Sequence, residues 1–488
     1  MTISAELRGG IALDELFGQR SAASGPTSQA TSCTSQLDQL RSGDVFVALD
    51  DGAEDGHEQA AEAVRRGAAA VVCERPVAVF DVPTYLVPDS RIALGQLCQA
   101  LVGEPTRTLP TIGITGTLGK TTTLALLESI FCAAGKHPGT LSSLSCYDGM
   151  AHTATDATTL SQPAWAARLA RMEAAGCTQA LVEVSSEALC QQRLAGIELD
   201  AVCVTNVTSA HLDLHNSTQN YRDAKRRILD YLSPSGVTIL NADDQVSLGW
   251  LSHVQGPVLT YGLGAQAEIS AQIVERHSNE QLFVLTAGNE SVAVRTTLVG
   301  DHQVSNCLAA TTLALSYGID LSDCARGIEA LDRLPGRMER VDCGQGFPVF
   351  VDAAQTPDAL RATLHAARQL AEHRVICVLG DSPDPANQSE AVRHVVNRLA
   401  DLAIVTESLD QFCQSGNCKP HDAVFQQAAD RQEAIAWAVT MAEPGDVVVI
   451  AGSGTQLGWA FGNSEQTDTE LVREILYARN EAVCRLAA

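Results

Sequence analysis

Apolar residues along this chain fall into short runs divided by polar and glycine-bearing stretches. Thr111-Ile-Gly-Ile114 is a β-type run that breaks into glycines, and Lys120 with three threonines leads into a helical pattern, Leu124-Ala-Leu-Leu-Glu-Ser-Ile130. Upstream, the Ser/Thr/Ala-rich stretch 21–35 reads as loop and Arg41-Ser-Gly-Asp-Val-Phe-Val-Ala-Leu49 as a turn and strand. Residues 50–56 read as a Gly/Asp loop, 60–67 as a helix closed by Gly67, and 68–73 as a second strand. Gly103-Glu-Pro-Thr-Arg107 reads as a linker.

Downstream, 180–184, 201–205 and 237–240 are short buried-strand patterns, and 258–299 alternates in a β manner. A long Ala/Leu helix covers 302–317. Further strands are predicted at 349–352, 374–379, 402–405 and 446–451, with a helix over 359–372. Strands alternating with helices imply an α/β protein with mostly parallel sheets. No internal repeat is visible.

With 488 residues the chain has room for three domains at ~150 residues each. They are expected at 1–107, 108–340 and 341–488. No apolar run reaches the ~18 residues of a membrane span, and the N-terminus lacks a basic stretch followed by an apolar core. The 15 cysteines are scattered without a C-x-x-C pair, which reads as reduced thiols in a cytoplasmic protein. A net charge of −25 argues against nucleic-acid binding. An anionic substrate would then need local Lys, Arg, Mg²⁺ and helix ends.

The stretch Gly116-x-x-Gly119-Lys120-Thr121-Thr122, with Thr117 and Leu118 between the glycines, follows a strand and opens a helix. The usual four-residue P-loop spacing fails here, because counting back from Gly119 lands on Ile114. The shorter form still makes a phosphate cradle of loop and helix N–H groups, with Lys120 as a mobile charge and Thr121 as a Mg²⁺ ligand. A Gly-rich turn before an ordinary helix is the plainer alternative. Glu183 at a strand end reads either as a Mg²⁺ ligand or as a solvated carboxylate. Lys225 on a polar helix reads, taken alone, as a surface charge.

Taken together the motifs resemble the Mur ligases, most closely the UDP-N-acetylmuramoyl-tripeptide synthetase branch. Ser42-Gly-Asp-Val-Phe-Val-Ala-Leu49 with Asp55-Gly-His57 is similar to that branch's uridine-binding N-terminal domain. Gly116 to Thr122 is similar to its short P-loop, with Leu118 where Asn is usual. Leu181-Val-Glu-Val-Ser-Ser186 through Arg193 resembles its substrate segment. Thr205-Asn206, His211-Leu-Asp213, His215 and Tyr221-x-x-Ala-Lys225 resemble its carbamylated-lysine segment. Pro335-Gly-Arg-Met-Glu-Arg-Val341 and Asp352-x-Ala-x-Thr-Pro-Asp-Ala-Leu360 resemble its ATP-clamping elements.

The resemblance implies a central P-loop ATP-binding sheet between a uridine-nucleotide domain and a Rossmann-like C-terminal domain. It implies an ATP-dependent ligase that joins an amino acid to a UDP-N-acetylmuramoyl-peptide through an acyl phosphate, in peptidoglycan precursor synthesis. Lys120 and the loop would hold ATP. Thr121 and Glu183 would hold one Mg²⁺, and His211 and a carbamylated Lys225 a second. Arg337 would contact phosphates, and Asp352 would position nucleotide or Arg337. Thr158, Thr159, Ser185, Gln191 and Arg193 would hold the UDP-sugar-peptide. The expected partners are small molecules, with neither nucleic acid nor membrane, and the expected state is a monomer.

Departures from the pattern are many. Leu160 stands for Pro, Glu187 for His, Ala210 for Asp, Ala353 for Tyr and Gln355 for His. In the amino-acid pocket, Gly380-Asp-Ser-Pro-Asp384 replaces Gly-Gly-Asp-Arg-Asp, and no Asp-Asn-Pro-Arg follows Val405-Thr-Glu-Ser408. Gly452-Ser-Gly-Thr-Gln456 replaces Gly-Lys-Gly-His-Glu. These losses motivate an alternative, a catalytically weak paralogue that binds nucleotide or UDP-muramoyl-peptide in a regulatory role. A folylpolyglutamate synthase-like ligase is a third reading, which the uridine-type N-terminal motifs oppose. The lost arginine and the added acids also imply that diaminopimelate is a poorer substrate than a cationic or small amino acid.

Overall fold

The computed structural model describes residues 3–4, 10–18, 29–52, 54–153, 160–210, 212–380, 385–406, 423–452 and 466–487. The chain forms two compact units. The first comprises residues 1–116, 135–207 and 216–259, the second 117–134, 208–215 and 260–488.

Beside a two-stranded pair, Ile11–Ala12 with Gln29–Ala30, the described residues of the first unit carry two main sheets. In the smaller one, strands Ser32–Thr34, Val45–Val47, Ala70–Cys73 and Thr84–Leu86 run parallel, with Ile3–Ser4 antiparallel at the edge. Val45–Val47 and Ala70–Cys73 are buried at every position, as expected of parallel strands covered on both faces. The covering helices start at capping aspartates. Asp55 accepts from His57 N ahead of Gly56–Arg65, and Asp89 accepts from Ile92 N ahead of Ser90–Leu101. The Asp55 cap starts its helix four residues before the predicted 60.

In the larger sheet, Thr111–Thr115 lies between Ala180–Glu183 and Leu199–Val204, all parallel, and Leu232–Asn241 follows Leu199–Val204. The register sets Glu183 opposite Ile114 and Val204 opposite Thr115. Three strand ends therefore finish at one level, where the Gly116 loop begins.

The second unit begins with the helix Lys120–Ala133, packed against helices Asp301–Ser316 and Leu321–Ala330. A Cβ on Gly327 would collide with Ile130 Cα, so only glycine allows this close approach. Strands Ile269–Arg276, Gln281–Ala287 and Glu290–Thr296 form an antiparallel meander. A six-stranded sheet follows in the order Glu339–Val341, Val349–Asp352, Val447–Ala451, Val375–Leu379, Leu402–Val405, Val424–Gln427. Only its first pair is antiparallel. Apolar cores lie on both faces, around Phe350, Leu364 and Val449 on one and Val349, Ile376 and Ile435 on the other.

One predicted loop is corrected. Within 21–35, Gln29–Ala30 and Ser32–Thr34 are strands. Cys33 is fully buried there, yet its polar neighbours give no apolar run to detect.

Candidate active site

In the first unit the sheet's carboxyl edge gathers Gly116, Glu183 and Lys225. Gly116 has φ +154°, and a Cβ there would collide with Thr205 Oγ1. The following segment is latched from behind. Asn241 Nδ2 donates to the Thr205 carbonyl at 2.8 Å, and Val207 N donates to Asp244 Oδ2 at 3.0 Å. Glu183 is 3 % exposed, and its Oε2 accepts from Ser143 N at 3.0 Å. It is therefore not the solvated strand-end carboxylate of the plainer reading.

Lys225 is corrected more sharply. It lies in the last turn of helix Thr218–Arg226, is 2 % exposed, and donates from Nζ to the Gly116 carbonyl at 2.7 Å. Its ammonium stands 4.9 Å from the centroid of the Tyr221 ring, one helical turn away, where i and i+4 side chains meet. The Tyr221-x-x-Ala-Lys225 spacing is thus a packing device that delivers the lysine to the start of the P-loop.

Gln191 and Arg193 come together, but chiefly with each other. Gln191 Oε1 accepts from Arg193 Nε at 2.9 Å and Nη2 at 2.6 Å. Glu187 Oε1 accepts from Arg193 Nη2 at 2.8 Å. Glu187 stood out in the sequence only as a departure, and it is the arginine's ion-pair partner. Both Gln191 and Arg193 line a cavity of about 860 Å³ with Leu49, Gly56, Arg66 and Arg91. Ser185 caps helix Ser186–Cys190, accepting from Ala188 N at 3.0 Å.

In the second unit Gly119 caps the P-loop helix in the left-handed region, φ +84°. A Cβ there would collide with Asn306 Oδ1. The Asn306 amide is itself oriented by Gln303 Oε1, which accepts from Nδ2 at 3.1 Å. Asn306 was not singled out in the sequence, since nothing in a long Ala/Leu helix marks one asparagine. Lys120 Nζ donates to the Thr117 carbonyl at 3.2 Å, folded back over its own loop. Thr117 Oγ1 accepts from Thr208 N at 3.0 Å. Leu118 is half-buried in the loop, and Thr121 and Thr122 are buried in the first turn of the helix.

Arg337 does meet the P-loop helix, and Asp352 meets the Arg337 segment. Arg337 Nη2 donates to Thr121 Oγ1 at 3.5 Å. Asp352 Oδ2 accepts from Met338 N at 2.6 Å, and Oδ1 accepts from Thr363 Oγ1 at 3.0 Å. Burial pushes the Asp352 carboxyl up, opposed by the Arg337 charge and these hydrogen bonds. Asp352 therefore fixes the Arg337 segment through the Met338 amide.

Among the described residues, no three His, Cys, Asp or Glu side chains gather as a preformed metal cluster. Mg²⁺ commonly takes only one or two protein ligands beside water and phosphate oxygens. The buried Glu183 carboxylate is chemically suited to such a role in the first unit, and so, separately, is the Thr121 hydroxyl in the second. Thr158, Thr159 and His211 lie outside the described residues, as do 381–384, 407–410 and 453–456.

Comparison with known proteins gives a concordant result. Residues 114–314 match the Mur ligase middle domain, and 336–454 match the Mur ligase, glutamate ligase domain. The chain is 36 % identical over 439 residues to the UDP-N-acetylmuramoyl-L-alanyl-D-glutamate--2,6-diaminopimelate ligase of Geobacillus kaustophilus, covering 87 % of this chain and 90 % of that protein. It is 33 % identical over 453 residues to the UDP-N-acetylmuramyl-tripeptide synthetase of a Roseiflexus species, covering 86 % and 89 %. A solved UDP-N-acetylmuramoyl-L-alanyl-D-glutamate--2,6-diaminopimelate ligase superposes with a TM-score of 0.72 at 24 % identity, covering 96 % of this chain and 99 % of that one, and shares the fold.

Proposed function

The chain belongs to the Mur ligase family of ATP-dependent acid–amino-acid ligases, and from that premise we propose that it joins an amino acid to a UDP-N-acetylmuramoyl-peptide in peptidoglycan precursor synthesis. One observation carries the chemistry. Arg337, held beside the buried Asp352, reaches Thr121 in the first turn of the P-loop helix. Phosphoryl transfer needs charge neutralisation and positioning more than covalent catalysis, and this arrangement supplies both.

The reaction balances in two steps. A carboxylate oxygen of the muramoyl-peptide attacks the γ-phosphorus of ATP, giving an acyl phosphate and ADP. The amine of the amino acid then attacks the acyl carbon, the C–O bond to phosphate breaks, and the amine loses a proton. Lys120, the loop amides and Arg337 offset the negative charge spread over the transferring phosphoryl oxygens. Gln191 and Arg193, with their 860 Å³ cavity, are the side chains assigned to the UDP-sugar-peptide, together with Thr158, Thr159 and Ser185.

Magnesium, when bound, neutralises phosphate charge and fixes the phosphate oxygens. Thr121 and Glu183 would hold one ion, and His211 and a carbamylated Lys225 a second. Carbamylation joins the neutral Lys225 amine to CO₂ with loss of one proton. The carbamate keeps an N–H for the Gly116 carbonyl and adds anionic oxygens suited to Mg²⁺. The position of Lys225 supports this, because its buried Nζ stands at the start of the P-loop beside the Gly116 carbonyl.

The protein works as a cytoplasmic monomer in this reading, with domains at 1–107, 108–340 and 341–488. No described helix is long and apolar enough to cross a membrane. The relatives' names give diaminopimelate as a substrate, but residues 405–410 of this chain contain no arginine, and a cationic or small amino acid is the proposed choice. Phosphate release measured with ATP, UDP-muramoyl-dipeptide and each amino acid tests the reading. Release that requires all three substrates is expected, and release indifferent to the amino acid overturns it.

A further inference from the structure

An amino acid reaches an acyl phosphate as a zwitterion, and a fixed donor on its carboxylate is what aims the amine. In the C-terminal sheet, strands Val349–Asp352, Val447–Ala451 and Val375–Leu379 lie side by side and parallel. Ligands of open α/β sheets collect outside such carboxyl ends. Arg431, the first residue of helix Arg431–Met441, stands at that edge, and its Nη2 donates to the Ala451 carbonyl at 2.9 Å. Asp468 grips the guanidinium from one side, accepting from Nε at 3.0 Å and from Nη2 at 2.7 Å. Arg431 is 7 % exposed and Asp468 6 %.

The remaining nitrogen, Nη1, is buried and has no hydrogen-bond partner among the described residues. A buried donor left unpaired is costly, and a native one calls for an explanation. Gly452 and Gly380 are its backbone neighbours, close enough that a side-chain carbon on Gly452 would touch both guanidinium Nη atoms. A Cβ on Gly452 would stand 3.7 Å from Nη1 and 3.9 Å from Gly380 N. Gly452 N donates to the Asp352 carbonyl at 3.0 Å, Asp352 lies beside Arg337, and Arg337 reaches Thr121. An unbroken series of contacts within one unit thus joins the P-loop helix to Arg431.

We propose that Nη1 of Arg431 anchors the α-carboxylate of the incoming amino acid, which rests on the ligase reading above. Asp468 holds one edge of the guanidinium rigid, and the substrate oxygen takes the other. Because Asp468 already offsets the positive charge, the site suits one carboxylate held by hydrogen-bond geometry and offers nothing to a second.

The test compares kcat/KM for the best-ligated of lysine, ornithine, alanine and meso-diaminopimelate with kcat/KM for its carboxamide. Wild type is expected to prefer the acid by ~10²-fold or more, as a site built to pair a polar group does. Arg431→Met should bring that ratio below about tenfold while leaving the KM for ATP unchanged. Arg431→Lys, which keeps a positive charge, should fall between the two, and it decides the matter if Arg431→Met does not fold. Asp468→Asn, which frees the guanidinium to turn, should weaken the same preference. A ratio that survives in a folded Arg431 variant overturns the anchor and leaves the ligase reading standing. A wild-type protein that ligates none of the four overturns both.

Discussion

Glu128 offers a test of the P-loop helix that needs no substrate. It lies in helix Lys120–Ala133, which packs against helices Asp301–Ser316 and Leu321–Ala330. Burial alone raises its carboxyl from 4.5 to about 6. Because the folded value is the higher one, the folded protein binds the extra proton between these two values. The contribution to stability is fully present below 4.5 and is lost as pH rises through 6. The gap, at 1.36 kcal/mol per pH unit, makes ionised Glu128 destabilising by about 2 kcal/mol at neutral pH. Glu128→Gln keeps the shape and removes the charge. It should match wild type near pH 4 and exceed it by up to about 2 kcal/mol at pH 7–8, read as a shift of the urea midpoint for the transition that unfolds this unit. A difference that does not change with pH, or a wild type more stable than the variant at pH 8, would refute the reasoning.

Three further outcomes follow from the site. Lys120→Ala should lower ATP turnover about 10²–10³-fold with circular dichroism unchanged; near wild-type turnover would remove the P-loop assignment. Lys225→Ala should cost at least about 10²-fold in acyl-phosphate formation, and a short carboxylic acid should restore part of it. Full activity in that variant, together with an unmodified Lys225 in the wild-type protein by mass, would make the buried lysine a structural cation only. Among lysine, ornithine, alanine and meso-diaminopimelate, the last should not show the highest kcat/KM, and steady-state kinetics that rank it first would reject the amino-acid choice.

Regular elements were legible where apolar runs are continuous. The pattern at 402–405 coincides with Leu402–Val405, and that at 111–114 with most of Thr111–Thr115. Strand Leu232–Asn241 begins five residues before its predicted start, because Leu232 pairs with Leu199 ahead of a register shift to Val237 opposite Ala201, and Pro234 and Gly236 interrupt the apolar pattern in between. Helix Thr218–Arg226 is polar at most positions, and only Tyr221, Ala224 and Lys225 are buried. A lysine on such a narrow face cannot be told from a surface lysine by periodicity. Local motifs at Gly116–Thr122 were legible because the loop, the charge and the helix start are contiguous. The Arg337–Thr121 contact spans 216 positions, and the Glu187 partnership with Arg193 depends on how one short helix turns. Neither follows from residue spacing.

The most direct measurement is the mass of the product after incubation with ATP, Mg²⁺, UDP-muramoyl-dipeptide and an equimolar set of amino acids. The account predicts a single adduct equal to the dipeptide plus one amino acid minus one water, with ADP and phosphate formed in equal amounts to it. Binding of nucleotide and UDP-muramoyl-dipeptide with no adduct from any amino acid would contradict it.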